Sequence, residues 1–139
     1  MLPIGDQRIR GASFPIVTVA LLVVNVLVFV YQATLSQAEL QGFVETWGTV
    51  PAEILDGRGY VTLITSMFVH GGWFHVGSNM LFLWVFGDNI EALLGRIGYL
   101  LFYLLGGIAA SGAQVLSNPA STVPSVGASG AVAATLGAY

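Results

Sequence analysis

Residues 14–31, FPIVTVALLVVNVLVFVY, form an apolar run in which Thr18 and Asn25 are the polar members. A transmembrane helix needs about 20 mainly apolar residues to cross about 30 Å of hydrocarbon. The run therefore predicts a first membrane-spanning helix. The alternative is a cleaved signal peptide, whose apolar region is shorter, about 7 to 15 residues, and ends in a small-residue cleavage site.

The composition of the whole chain favours the same environment. Of its 139 residues, 55% are hydrophobic and 8% are charged, and the mean hydropathy is +0.82. Soluble domains carry about 25% charged residues, so we expect this chain to lie in a lipid bilayer. The net charge is -3, with no Lys, which excludes a basic surface for nucleic acid. There is no Cys, and hence no disulfide or thiolate site.

Three more apolar segments follow, at residues 73–87, 97–116 and 126–139. The segment at residues 97–116, the third predicted span, is rich in Gly, Ala and Ser, which allow helix backbones to approach closely in lipid. The fourth would be only about 21 Å long at 1.5 Å per residue, so we expect it to be incomplete. The predicted fold is all-α, a truncated polytopic transmembrane helical bundle spanning residues 1–139, with further helices supplied by a longer chain or by another chain.

The segments between the spans are more polar. Residues 32–72 form a predicted outer loop, in which an apolar stripe indicates a helix that lies in the membrane interface or packs on the bundle, and residues 52–56 indicate a second short helix. The stripe consists of Leu40, Phe43, Val44 and Trp47.

Charged residues predict the orientation of the bundle. Arg8 and Arg10 precede the first span, and by the positive-inside rule they place the N-terminus in the cytoplasm. A short cytoplasmic turn between the second and third spans is predicted from Asp88, Glu91 and Arg96. The start of the second span and the start of the fourth then lie on the same, outer side of the membrane.

Three polar side chains are expected at that outer side. His75 and Asn79 are four residues apart and share one helix face. Ser129 lies in the sequence Gly-Ala-Ser-Gly at residues 127–130, as expected for a serine nucleophile at the start of a helix. The first N–H groups of a helix have no internal acceptors and could stabilise an oxyanion. Polar groups at membrane depth are costly unless they are paired or face water, which makes these residues functional candidates.

Each of these features also has a purely structural interpretation. The small residues around Ser129 could serve helix packing. His75, Asn79 and His70 could each be a satisfied polar residue within a bundle. The two His have no nearby carboxylate or thiolate, and zinc requires three or four ligands, so no metal site is predicted. No organic cofactor is indicated either.

Two stretches together resemble a known family. Residues 62–91, TLITSMFVHGGWFHVGSNMLFLWVFGDNIE, and residues 126–139, VGASGAVAATLGAY, resemble the rhomboid family of intramembrane serine proteases. The motifs are H-x-x-x-N at 75–79, G-D-N-x-E-x-x-x-G at 87–95 and G-A-S-G at 127–130. The resemblance implies that Ser129 is the nucleophile, and that His75 and Asn79 line the oxyanion hole with the N–H of Ser129. It also implies a dyad His on a sixth helix, which residues 1–139 do not include.

The implied function is hydrolysis of peptide bonds in or near the transmembrane helices of membrane-protein substrates. The other expected partners are the lipid bilayer and the missing C-terminal helices. The implied location is a bacterial plasma membrane, with the active site opening to the outer face. Two alternatives remain open: a catalytically inactive rhomboid-like protein that holds client helices, and a structural bundle or half of a transporter.

Overall fold

A computed structural model describes residues 14–139, so Arg8 and Arg10, on which the predicted orientation rests, lie outside the described residues. The described chain is helical, which confirms the predicted fold class. The helices are α1 (Ile16–Thr34), α2 (Gln37–Trp47), α3 (Pro51–Leu55), α4 (Thr62–Thr65), α5 (Trp73–Ser117) and α6 (Ser129–Ala138), with a 3-10 turn at Ser66–Phe68. The α1 and α5 helices are long and apolar enough to cross a membrane.

The α5 helix is bent at Gly95, where φ is 74° and ψ is 167°. Only glycine adopts such a left-handed conformation without a steric cost. The bend reverses the chain. In a straight helix, residues 87 and 99 would be about 18 Å apart, yet a Cβ atom at Gly87 would lie 2.8 Å from the hydroxyl of Tyr99. We call residues 73–94 and 96–117 the first and second arms of α5.

The connection between the predicted second and third spans is therefore tighter than the sequence suggested. The first arm does not end at residue 87 but continues as helix to the bend at Gly95, and both Asp88 and Glu91 lie inside it. The chain reverses direction at Gly95 and not at Asp88 and Glu91, the acidic residues from which a turn was predicted. The charge pattern was misleading because Glu91 is buried, with 5% of its surface exposed.

Glu91 is buried because its carboxylate caps α1. It accepts hydrogen bonds from the N–H of Val17 at 3.0 Å, the N–H of Thr18 at 2.8 Å and the hydroxyl of Thr18 at 2.8 Å. Pro15, the residue immediately before α1, provides no side-chain cap. A carboxylate at a helix N-terminus satisfies free N–H groups and opposes the positive end of the helix dipole. Glu91 therefore fixes α1 to the first arm of α5.

Small residues bring the second arm of α5 and α6 into close contact. A Cβ atom at Gly130 would collide with Ala110, and one at Gly106 would lie 2.5 Å from the Cβ of Ala134. This agrees with the close packing predicted for the small-residue segment. Around these contacts, the buried core includes Leu21, Met67, Leu83, Tyr99, Tyr103, Ala131 and Val132.

The outer-loop segment is helical in part and is tied to the segment that precedes α6. The apolar stripe lies on α2, and the short helix expected at residues 52–56 is α3. Thr49 and Ser125 exchange two backbone hydrogen bonds, at 2.9 and 2.8 Å, and the N–H of Gly127 donates to the carbonyl of Ser66 at 2.8 Å. The α6 helix begins at Ser129, three residues later than the predicted span, because Gly127 has a φ of 120°.

Candidate active site

Ser129 is the first residue of α6, and its side chain is exposed. Its hydroxyl forms no hydrogen bond within residues 14–139. It lines a cleft of about 180 Å³ between α6, the second arm of α5 and the 3-10 turn. The polar residues of this cleft are Ser66, Ser111, Gln114, Ser125 and Ser129. A hydroxyl in this position is accessible to a reactant that enters the cleft.

His75 lies against the turn that leads into Ser129. A Cβ atom at Gly127 would be 2.6 Å from Nε2 of His75 and would also collide with Cε1. The imidazole therefore occupies the space that any other side chain at position 127 would need. The positive φ of Gly127 also favours glycine there. The fold thus brings the predicted His75 and the Gly-Ala-Ser-Gly sequence together from two different helices.

Asn79 is one helical turn further along the first arm of α5. Only 5% of its surface is exposed, and its Nδ2 has no hydrogen-bond partner among the described residues. A buried donor without a partner costs about 1 to 3 kcal/mol. Asn25, Tyr99 and Tyr103 also have buried polar atoms without a partner among the described residues, so this property by itself does not distinguish Asn79 as a binding group.

The N-terminus of α6 provides further donors. The carbonyl of Ala128 accepts from the N–H of Val132 at 2.9 Å, which begins the helical pattern. The N–H groups of Ser129 and Gly130 have no acceptor within the part of the chain that the structure describes. An anion that forms beside Ser129 would meet these N–H groups and the positive end of the helix dipole.

His70 packs beside His75, and neither ring is among the residues that line the cleft. Only 2% of its surface is exposed, and its ring centroid is 5.3 Å from that of His75, in an edge-on arrangement. Burial, assisted by the electrostatic interaction with His75, lowers the pKa of His70 to about 4. The ring is therefore neutral at physiological pH, and neither of its nitrogens has a partner in residues 14–139.

The sequence analysis did not predict the structural roles of two polar residues that support this arrangement. Gln32, in the last turn of α1, forms two hydrogen bonds with the backbone of His70, and Glu91 caps the other end of the same helix. Their partners lie 38 and 73 residues away in sequence. The only local signal was a polar side chain at the end of an apolar run.

Residues 57–139, more than half of the chain, match the family model of the Rhomboid domain. The chain belongs to the rhomboid family. This confirms the resemblance that the sequence motifs indicated. Curated rhomboids match as well. Rhomboid-like protein 11 of Arabidopsis thaliana chloroplasts is 44% identical over 69 residues, and Rhomboid protein 1 of Saccharomyces cerevisiae mitochondria is 35% identical over 101 residues. Rhomboid protease GluP of Bacillus subtilis is 41% identical over 76 residues.

The matches to these rhomboids cover 50%, 67% and 55% of the chain. They cover only 24%, 29% and 14% of the respective relatives, so the chain spans less than a third of each. No solved structure matches the chain significantly. As a rhomboid family member with two long apolar helices, the protein is an integral membrane protein.

Proposed function

We propose that this chain carries the nucleophile and the oxyanion site of a rhomboid intramembrane serine protease. Ser129 would attack the scissile carbonyl carbon. The N–H of Ser129, Nε2–H of His75 and Nδ2 of Asn79 would stabilise the oxygen anion that forms. The observation that carries the proposal is the imidazole of His75, which fills the place of a side chain at Gly127, two residues before the proposed nucleophile.

The reaction requires a base that takes the proton from the Ser129 hydroxyl, because serine is a weak nucleophile without one. The chain contains only two His. His70 is buried away from the cleft, and His75 is assigned to the oxyanion site. We therefore assign the base to the dyad His that the family resemblance places outside residues 1–139. That His would then protonate the leaving amine, and water would hydrolyse the ester formed on Ser129.

The proposed substrates are membrane proteins cleaved in or beside a transmembrane helix. Carbonyls within a helix are hydrogen-bonded and shielded, so the substrate must unwind locally before Ser129 can attack. Residues with poor helix propensity near the cleaved bond would favour this unwinding. We further propose that the cleft opens to the outer face of a bacterial plasma membrane, with the N-terminus in the cytoplasm.

The proposal is tested by labelling with a fluorophosphonate, which reacts covalently with an activated serine. The full-length gene product is incubated with the probe in detergent. We expect labelling in the wild type and in Ser117→Ala, a control that removes an exposed hydroxyl from α5, and none in Ser129→Ala.

If the full-length protein stays unlabelled while it retains client transmembrane helices, the inactive binding protein is the correct interpretation. If residues 1–139 are labelled only when the downstream segment is co-expressed, the base lies in that segment.

A further inference from the structure

We propose that Gln32 is a positioning residue for His75. Its carboxamide would fix the loop at residues 69–72, and that loop would hold the His75 ring in the tautomer that donates from Nε2. The inference rests on the proposed function, because it concerns how the proposed oxyanion site is oriented.

The first step is the connection between α1 and the loop. Oε1 of Gln32 accepts from the N–H of His70 at 3.0 Å, and Nε2 of Gln32 donates to the carbonyl of His70 at 2.9 Å. Gln32 is 3% exposed, so both bonds are shielded from water. This amide satisfies both backbone groups of one loop residue, as a neighbouring strand would. Phe29, one turn earlier on α1, packs edge-on against Trp73 at 4.9 Å.

The second step is the hydrogen bond from this loop to His75. The N–H of Gly71 donates to Nδ1 of His75 at 3.4 Å. A neutral imidazole has one N–H and one bare nitrogen, so acceptance at Nδ1 leaves the proton on Nε2. Nε2 is the nitrogen that lies against Gly127. The loop therefore selects the tautomer whose N–H is directed at the turn before Ser129.

The third step is the dependence of that bond on Gln32. At 3.4 Å the Gly71 contact is near the limit for a hydrogen bond, so a small shift of the loop would break it. Gly71 follows directly after His70, the residue that Gln32 clamps. Without the clamp, the backbone groups of His70 would lose their partners in a buried position, and the loop would move to recover them. His75 would then populate both tautomers.

The test is nitrogen-15 NMR of the histidine rings in the full-length protein at neutral pH in detergent micelles. The His75 signals are assigned from their loss in His75→Phe. In the wild type we expect a bare Nδ1 and a protonated Nε2. In Gln32→Leu the Nε2–H population should fall and the two tautomers should exchange. Thr34→Ala, which removes a hydroxyl that bonds only within α1, should match the wild type.

Gln32→Glu is the second variant, for use if Gln32→Leu does not fold. Its carboxylate can still accept from His70 but cannot donate, so we expect an intermediate tautomer ratio. Fluorophosphonate labelling of Gln32→Leu should slow by up to about 100-fold, as for a misplaced reacting group.

Two results would overturn the inference. One is a proton on Nδ1 of His75 in the wild type. The other is an unchanged His75 spectrum in a folded Gln32→Leu protein, even if labelling slows, because the loss would then be general and structural. A wild type with the expected tautomer but no Ser129 labelling would instead refute the proposed protease function and leave the role of Gln32 intact.

Discussion

Glu91 and Asn79, on the same arm of α5, are both buried polar residues but differ in their hydrogen bonds. At the end that contains Glu91, one carboxylate accepts three hydrogen bonds and leaves no free N–H at Val17 or Thr18. At the end that contains Ser129, the Nδ2 of Asn79 and both ring nitrogens of His70 are buried without partners among the described residues. The Tyr99 hydroxyl, which lies near Thr18, is also buried without a partner among the described residues, so the contrast is between the saturated Glu91 carboxylate and the unpaired groups of Asn79 and His70.

The largest effect on stability should follow from removing the Glu91 carboxylate. Glu91→Ala removes the acceptor of three hydrogen bonds and leaves two N–H groups of α1 unpaired. At about 1 to 3 kcal/mol for each unsatisfied group, we expect a loss of about 4 kcal/mol. The measurement is unfolding of the detergent-solubilised protein by SDS.

Glu45→Ala is the matched control for Glu91→Ala, because Glu45 is exposed on α2 and accepts a single side-chain bond from Gln41. It should change the unfolding free energy by less than about 0.5 kcal/mol. Equal losses of unfolding free energy in the two variants would show that the Glu91 cap stabilises the protein no more than an exposed carboxylate does.

The second effect is a loss of stability in acid that arises at the Ser129 end. Burial lowers the pKa of His70 to about 4 from its usual value of 6.5. The folded state therefore binds fewer protons than the unfolded state between these values. Stability should be full above pH 6.5 and should fall as the pH drops to 4, by up to about 3 kcal/mol at 1.36 kcal/mol per pKa unit.

His70→Phe checks this assignment, since phenylalanine fills a similar volume and has no charge to bury. Between pH 6.5 and 4, its unfolding free energy should fall less than that of the wild type. Parallel pH profiles would mean that another group causes the acid sensitivity.

A third prediction concerns Gly127, which precedes α6 and contacts His75 of α5. Gly127→Ala would push the new methyl group into the His75 ring and would force alanine to a φ of 120°. We expect fluorophosphonate labelling to slow by about 100-fold, because the ring would move from the reacting group.

The control for Gly127→Ala is Gly112→Ala, at a helical position with open space around it. It should label normally and be more stable by about 0.5 to 1 kcal/mol. Normal labelling of Gly127→Ala would refute the proposed contact between His75 and the Ser129 turn.

The smallest expected effect on stability concerns Asn79, on the first arm of α5. Asn79→Leu replaces a buried donor, which has no partner in residues 14–139, by an apolar group of similar size. We expect a gain of about 1 kcal/mol in stability, because no desolvated amide is left without a partner. Labelling of Ser129 should fall at the same time. A loss of stability would show that Asn79 has a structural partner after all.

Much of this architecture was predictable from local sequence. Apolar runs of membrane length predicted the long helices, and the small residues of the third segment predicted its close packing on α6. The residues of the proposed site were also found from the sequence, since His75 and Asn79 share a helix face by their spacing alone. These features depend on helical periodicity and on side-chain size, and the local sequence shows both.

Only the tertiary structure could reveal what holds these residues in place. Asp88, Glu91 and Arg96 were interpreted as marking a short cytoplasmic turn, yet Glu91 is a buried cap and the chain reverses at Gly95. Gln32 drew no attention in the sequence, because its partner is 38 residues away. A hydrogen bond depends on where the fold brings its two ends, and no local pattern records the partner of a buried amide or carboxylate. The amino-acid sequence by itself determined which segments are helical and which polar groups they carry. The packing of those helices decided which buried groups form hydrogen bonds and which have no partner among the described residues.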